Sequence, residues 1–351
     1  MASPLSVTVN YDSLVSTTLN NTRAKRYDNI FRKSAFYAHM HSKGRKELLD
    51  GGVKIDRAVD YAVNQTVKSY RGYDSVDLTP QEHTTSIQDE LKEVAGSIVI
   101  SRREERNNSG RARIMSLIES KVQNLDRSYG QKLNEMFLAP SGAGLTAAGE
   151  DMNPITTIIN IAAGSTLHGI NATTYTWWEN QRAQSASING TATTGTVFKQ
   201  ELRNMYNNCT RNNEGAPDLV LTSQEVHEKY EEVLEGQVRY GSTEMANLGF
   251  EIVMLRGASV MWDEIVPRQT NNGGALLLHD SGSADEHLAY FINSDFFKLY
   301  VDSQTDLVNR PFMESPDQTA KSALVLFMGQ VICTNRRTCG VLSAIDTGAI
   351  T

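Results

Sequence analysis

A chain of 351 residues, 40% hydrophobic and 21% charged, is long enough to bury one elaborate core or two without staples. A net charge of −7 argues against a general nucleic-acid binder, and three cysteines are too few for a disulfide framework and suit a reducing cytoplasm. No run of 18 apolar residues offers a membrane span, and the opening "MASPLSVTVNYDSLVS" lacks the basic and apolar regions of a signal peptide.

Residues 1–21 are rich in Ser, Thr and Asn and read as an extended arm. Between Thr22 and Lys46 eight basic residues face Asp28 alone, a local +7 that leaves −14 on the rest of the chain. Tyr27, Ile30, Phe31, Ser34 and Ala38 recur at helical spacing there, with Gly44 as a stop. Such a basic, thinly apolar helix is expected to lie on a surface rather than in a core. A solvated helix face is the plain alternative.

"GGVKIDRAVDYAVN" changes period. Val53, Ile55, Val59, Tyr61 and Val63 alternate with Lys54, Asp56 and Asp60, the pattern of a strand with one wet face. A second extended stretch runs from Thr84 to Ser101, and the polar segment between them carries Gly72 and Pro80. Together they predict a long hairpin, marginal by itself, that projects beyond any core and needs a surface to lie on that one chain does not obviously supply.

The clearest periodicity follows. Asn108 or Ser109 is a candidate N-cap. Ile114, Ile118, Val122, Leu125, Tyr129, Leu133 and Met136 then form one stripe opposite Arg113, Glu119, Lys121 and Arg127. The predicted helix is about 40 Å long, a strut rather than an ordinary domain helix. The glycines of "PSGAGLTAAGEDMNP" follow a helix rather than a strand and lack a Gly-Lys-Ser/Thr, so they read as a linker.

From Ile155 the pattern is α/β: a helix near Thr194–Cys209, the strand "PDLVLT", a helix capped by Ser223, then the strand regions "FEIVMLRGASVMWD" and "LAYFINSDFFKLYVD". Thr222, Ser223 and Gln224 sit at a strand's C-terminal edge without a nucleophile–base pair, which suits helix capping. The last stretch, "LVLFMGQVICTNRRTCGVL", predicts a strand, a polar turn at Thr334–Thr338 and a returning strand. Cys333 and Cys339 have zinc-ligand chemistry but the wrong spacing, and Cys209 sits in a polar helical stretch, so architecture is the expectation and no metal or cofactor is implied.

In order and in wording these segments resemble the major capsid protein of tailed bacteriophages, whose fold is shared with encapsulin shells and the herpesvirus capsid floor. "DNIF" and "KGR" are similar to that family's N-arm, "SYRGYDSVDLTPQE" to the tip of its extended loop, and "AGSIVISRREERNNSG" to the return into its spine helix. "PDLVLTSQEVHEKYEEVLEGQVRY", "MANLGFEIVMLRGASVMWDEIVP" and "YFINSDFFKLYVD" resemble later blocks, and "NRPFMESPDQTAKSALVLFMGQVICTNRRTCGVLSAI" the C-terminal strand region. The likeness runs from about residue 20 to 345.

The resemblance implies an α+β fold with five parts: an N-terminal arm (1–47), an extended E-loop hairpin rooted in a peripheral domain (48–101), a spine helix (102–140), an axial α/β domain (141–290), and return strands of the peripheral domain with the C-terminus (291–351). It implies a virion shell of many copies in hexamers and pentamers around double-stranded DNA, assembled in the host cytoplasm without a membrane. A separate scaffolding protein is expected, because the arm begins close to Met1, together with a portal and possible decoration proteins.

Subunit-contact candidates are Arg23, Lys25 and Arg26 in the arm, and Lys68, Tyr70, Arg71, Tyr73 and Asp74 at the loop tip. Arg102, Arg103 and Glu104 are candidates at the spine start, and Arg336 and Arg337 at the last turn, where their forks could meet a neighbour's carboxylates. Lys68 is also the candidate for the lysine that some members cross-link, with no partner identifiable. No catalytic residue is expected. An encapsulin-like nanocompartment and a soluble α/β enzyme with an unrecognised site remain open beside the capsid reading.

Overall fold

The computed structural model describes residues 34–52, 54–107, 111–138, 150–185, 195–210, 215–234, 253–269, 276–277, 286–314 and 319–346. The first described element is helix α1, Ala35–Ser42. The Ser34 hydroxyl accepts a hydrogen bond from the Tyr37 amide at 3.2 Å, and the chain leaves through Gly44 at φ +64°. This helix does not lie on a surface: Ala35 to Met40 are all buried, with Phe36 and Tyr37 packed on Phe137 at 5.8 and 5.9 Å. Its apolar residues are consecutive rather than periodic, as befits a helix buried nearly all round. Tyr27, Ile30 and Phe31 lie outside the described residues.

Strand β1 spans Lys46–Leu49, β2 Lys54–Asp60, β3 Thr84–Glu90 and β4 Lys92–Ser101. β2 and β3 pair antiparallel from Lys54↔Glu90 to Asp60↔Thr84. The second half of the expected hairpin therefore breaks at Leu91, and β4 leaves for another partner. A short helix α2 (Arg102–Asn107) precedes α3 (Arg111–Leu138), the predicted strut, about 42 Å long at its ordinary rise. Val122, Tyr129 and Leu133 are buried along its stripe, and Leu125 and Met136 partly so, while Glu119 and Arg127 face out. The expected caps at Asn108 and Ser109 lie outside the described residues.

Next come α4 (Ile155–Ile158), β5 (Thr166–Leu167), β6 (Ile170–Asn171), β7 (Gln181–Gln184), α5 (Gly195–Cys209), β8 (Leu219–Thr222) and α6 (Gln224–Leu234). The chain continues through β9 (Val253–Leu255), β10 (Ala258–Trp262), β11 (Arg268–Gln269), β12 (Leu276–Leu277) and β13 (Glu286–Ile292). It ends with β14 (Phe297–Asp302), β15 (Val308–Glu314), β16 (Ala320–Cys333) and β17 (Gly340–Asp346). One sheet runs β1-β14-β16-β15 with β4 also on β16; the other runs β12-β11-β13-β8-β10-β9, with β17 on β13 and β7 on β17. The core between them joins α1, α3, β8, β13, β14 and β16, while α5 and α6 cover a second cluster on β8, β10, β13 and β17.

Two expected continuities are broken. "LAYFINSDFFKLYVD" is not one strand region: β13 belongs to the second sheet and β14 to the first. The last turn joins no hairpin either, because β16 pairs with β14, β15 and β4 whereas β17 pairs with β13 and β7. The 291–351 segment is thus divided between the two sheets: β14, β15 and β16 lie in the first, and β17 (340–346) lies in the second. The two crossings lie side by side, the Thr334 amide donating to the Phe296 carbonyl at 2.9 Å.

Candidate functional site

The hairpin is anchored at its root and bare at its tip. Ile55 and Ile87 enter a cluster with Ile170, Trp178, Tyr300 and Ile332, and Tyr61 stacks on Trp177 at 5.4 Å. The root therefore does find a surface in its own chain, against the expectation that none is available. Beyond Tyr61, whose amide donates to the His83 carbonyl at 2.9 Å, the residues to 83 contain no strand. Side chains fix that segment locally. Asn64 Oδ1 accepts from the Thr66 amide at 2.9 Å, Asp77 Oδ1 from the Thr79 amide at 3.1 Å, and Asp74 Oδ2 from the Arg71 amide at 3.0 Å. The Thr79 bonds, then Lys68, hold the Asp77 carboxyl below its ordinary range.

With its backbone held in turns, the tip turns its apolar groups outward. Val63, Val67, Tyr70, Tyr73, Val76 and Leu78 are 60% exposed or more, Tyr73 completely. Four of these six, Val63, Val67, Val76 and Leu78, lie outside the contact candidates, and the alternation of β2 places Val63 on its buried face. The pairing ends at Asp60, so the alternation continues in sequence after its inner face has run out of partners. Of the candidates at the tip, Lys68 meets Asp77 at 3.2 Å, and Tyr70, Arg71, Tyr73 and Asp74 are all exposed.

The other candidates separate. Arg23, Lys25 and Arg26 lie outside the described residues. Arg45 and Lys46, from the same basic segment, pair with Asp295 and Asp306 of their own chain, the latter at 2.7 Å. Arg102 and Arg103 are exposed. Glu104 is spent locally: it accepts from the Ser101 amide at 3.2 Å and from Lys121 Nζ at 2.9 Å, while the Ser101 hydroxyl accepts from the Glu104 amide. This is a capping box, legible as Ser101-x-x-Glu104.

Arg336 is the clear correction. It is 1% exposed and donates to the Ile158 carbonyl at 2.8 Å, Ser165 Oγ at 2.9 Å and Asn180 Oδ1 at 3.2 Å, so its fork is a staple inside the chain and reaches no neighbour. Cys333 and Cys339 beside it are buried, and burial pushes the Cys333 thiol up, which keeps it neutral. No group of three or more His, Cys, Asp or Glu could hold a metal among the described residues.

Ser223 also departs from expectation. Its carbonyl takes the first helical bond of α6, from the His227 amide, but its hydroxyl lies 3.1 Å from Nδ1 of His287. Glu225 Oε2 is 3.6 Å from that same nitrogen. A serine, a histidine and a carboxylate thus meet without forming a relay, which needs both ring nitrogens. Ser223 is 0% exposed, so the group ties α6 to β13 and offers no approach to a substrate.

No family model matches the chain, and no curated protein matches it in sequence. Solved structures do. The capsid asymmetric unit of cyanophage A-1(L) superposes with a TM-score of 0.62 at 15% identity, covering 86% of this chain and 90% of that one. This chain has the tailed-phage capsid fold. The capsid of Myoviridae phage XM1 aligns over the same shares of the two chains, with a TM-score of 0.50 and 11% identity. The holo-SrpI encapsulin of Synechococcus elongatus PCC 7942 gives 0.45 and 12%, over 88% of this chain and 87% of that one. In this α+β capsid fold, two sheets, a strut helix and a projecting hairpin occur together. Among the described residues no helix is long and apolar enough to cross a membrane.

Proposed function

We propose that this chain is a major capsid protein, the non-enzymatic subunit of an icosahedral shell around the double-stranded DNA of a tailed phage. The observation that carries the proposal is the hairpin tip, where six large apolar side chains stand in solvent on a turn-braced segment of a capsid fold. Six such residues within sixteen positions are more than the singly scattered apolar groups normal on a surface, which supports a contact role. Tyr70, Arg71 and Tyr73 are also of the residue types that dominate contact energies. The partner is a second copy, so the tip acts as the E-loop that lies across the next subunit in hexamers and pentamers. A separate scaffolding protein, a portal, decoration proteins, DNA on the inner face and assembly in the host cytoplasm complete the proposal.

Sizing and electron microscopy of the purified protein test this. Closed icosahedral particles are expected, with nucleic acid inside those made during infection. A stable monomer or small oligomer at every concentration counts against the proposal. Particles filled with a single enzyme instead of nucleic acid would assign the chain to a nanocompartment.

A further inference from the structure

The hairpin root carries a buried polar network that no resemblance points to. His168 occupies the first position of the two-residue turn between β5 and β6, at φ +52°, with Gly169 at +83°. Two positive φ values make a turn that favours Asn-Gly or Asp-Gly, and a histidine there is uncommon. Its side chain is fully buried and both ring nitrogens are used. Nδ1 lies 2.8 Å from Asp89 Oδ2, and Nε2 accepts from the Cys333 amide at 3.3 Å. Asp89 also accepts from the Asn153 side chain. Gln330 completes the group, accepting from the Asn153 amide at 2.9 Å and donating to the Glu90 carbonyl at 3.2 Å.

This group grips the last two residues of β3, Asp89 and Glu90, just before the break at Leu91. On β2, Arg57 reaches Glu47 at 3.0 Å and lies 5.1 Å over the Tyr300 ring. Opposite these fastenings the backbone is permissive: residues 50–53 link β1 to β2, and two of them, Gly51 and Gly52, take φ +96° and +124°. A joint of that kind sets no angle by itself. The angle at which the hairpin leaves the body is then set from the β3 side, by the Gln88 amide donating to the His168 carbonyl at 3.2 Å and by the side chains of this group.

We infer that the Asp89–His168 clasp aims the hairpin, so that His168 and Asp89 are positioning residues for shell geometry. This rests on the shell reading, since an aimed tip matters only where it meets another copy. Each subunit then presents its tip at one angle, and angular spread at the root becomes spread in particle curvature.

The test uses the full chain, first unassembled and then assembled. In hydrogen–deuterium exchange, Asp89→Ala is expected to speed exchange over 54–60 and 84–90 by about tenfold or more, as loss of a charge-assisted bond predicts. Exchange over 219–222 and 286–292 stays unchanged. Asp89→Asn, which keeps an acceptor for the Nδ1 proton, stays near wild type. In micrographs Asp89→Ala shells vary in diameter or fail to close, while Asp89→Asn shells remain uniform. Unchanged root exchange in Asp89→Ala overturns the inference, and so does faster exchange with uniform particles. If Asp89→Ala does not fold, His168→Asn, which tolerates the positive φ but cannot span both partners, carries the same comparison. A wild-type chain that forms no particles sinks the shell reading, and the exchange ratio still decides the clasp.

Discussion

Asp263 sits at the end of β10 and receives only neutral donors: Asn134 Nδ2 at 3.0 and 3.2 Å, the Ile265 amide at 3.1 Å and the Ala35 amide at 3.4 Å. It joins the strut helix, α1 and the α/β sheet at one carboxylate. Burial raises its pKa from an ordinary 3.8 to about 6, against the pull of those donors. A raised acid pKa means that the folded state binds the proton more tightly than the unfolded one. The stabilisation it brings is present in full below 3.8 and lost as pH rises through about 6. Asp89 and Asp218 are shifted the other way: burial raises each, but bonds from His168, Glu90 and Asn153 to Asp89, and from His39 and Ser294 to Asp218, together outweigh it, so their contributions fail only below the ordinary carboxylate range. Between about pH 4.5 and 7.5, Asp263→Asn is therefore expected to gain about 1–3 kcal/mol relative to wild type in denaturant titrations. A stability difference that stays flat with pH would refute this.

Arg336 and Arg337 are adjacent in sequence and unequal in structure. Arg336→Met removes three internal bonds and is expected to cost about 2–4 kcal/mol, whereas half-buried Arg337→Met costs under about 1 kcal/mol. Thermal unfolding of the two variants checks the ranking, and equal shifts would contradict it. Sequence could not separate the pair, because the partners of Arg336 at Ile158, Ser165 and Asn180 lie more than a hundred residues away.

At the level of elements, the strut was legible because its stripe repeats at helical spacing over many turns, and the hairpin root because β2 alternates. Partnership between strands was not. Nothing in "LAYFINSDFFKLYVD" marks the point where the chain changes sheets, and nothing local to Leu91 says that β4 will pair with β16. The close packing of α3 on β4 depends on Gly96, where a Cβ would meet Leu125 Cδ1 at 2.8 Å and Tyr129 Cδ2 at 3.0 Å. The Tyr129 hydroxyl fixes the same contact by donating to the Val94 carbonyl at 3.0 Å. Gly96→Val is expected to push the helix off the strand at about 1–3 kcal/mol, measured by chemical denaturation. An unchanged midpoint would mean that the two side chains yield freely.

For the whole molecule, the division between a packed body and a bare tip predicts that folding and assembly can be separated. Replacing 62–82 with a short Gly-Ser link is expected to leave unfolding of the body near wild type and abolish closed particles; normal shells from that variant would exclude the tip as a contact. A separate contribution through charge is proposed for the basic segment 22–46. Reversing Arg23, Lys25 and Arg26 to Glu is expected to slow assembly more at low salt than at high, as light scattering would record. Equal rates at every ionic strength would return that segment to a solvated face. That the segment between β2 and β3 projects was readable from its polar and turn residues, but its full apolar extent was not, because exposure depends on where β2 stops pairing.

The two neighbouring crossings between sheets also set an order in time. β7 is made at residues 181–184, yet its strand partner is β17, at 340–346. During synthesis the α/β sheet keeps an open edge until that late strand emerges, a wait on the order of 10 s at about 5–20 residues per second. Only then does β13 gain its second long neighbour, and the Arg336 staple closes in the same step. A chain from which β17 has not yet emerged thus lacks the finished body on which another copy could dock.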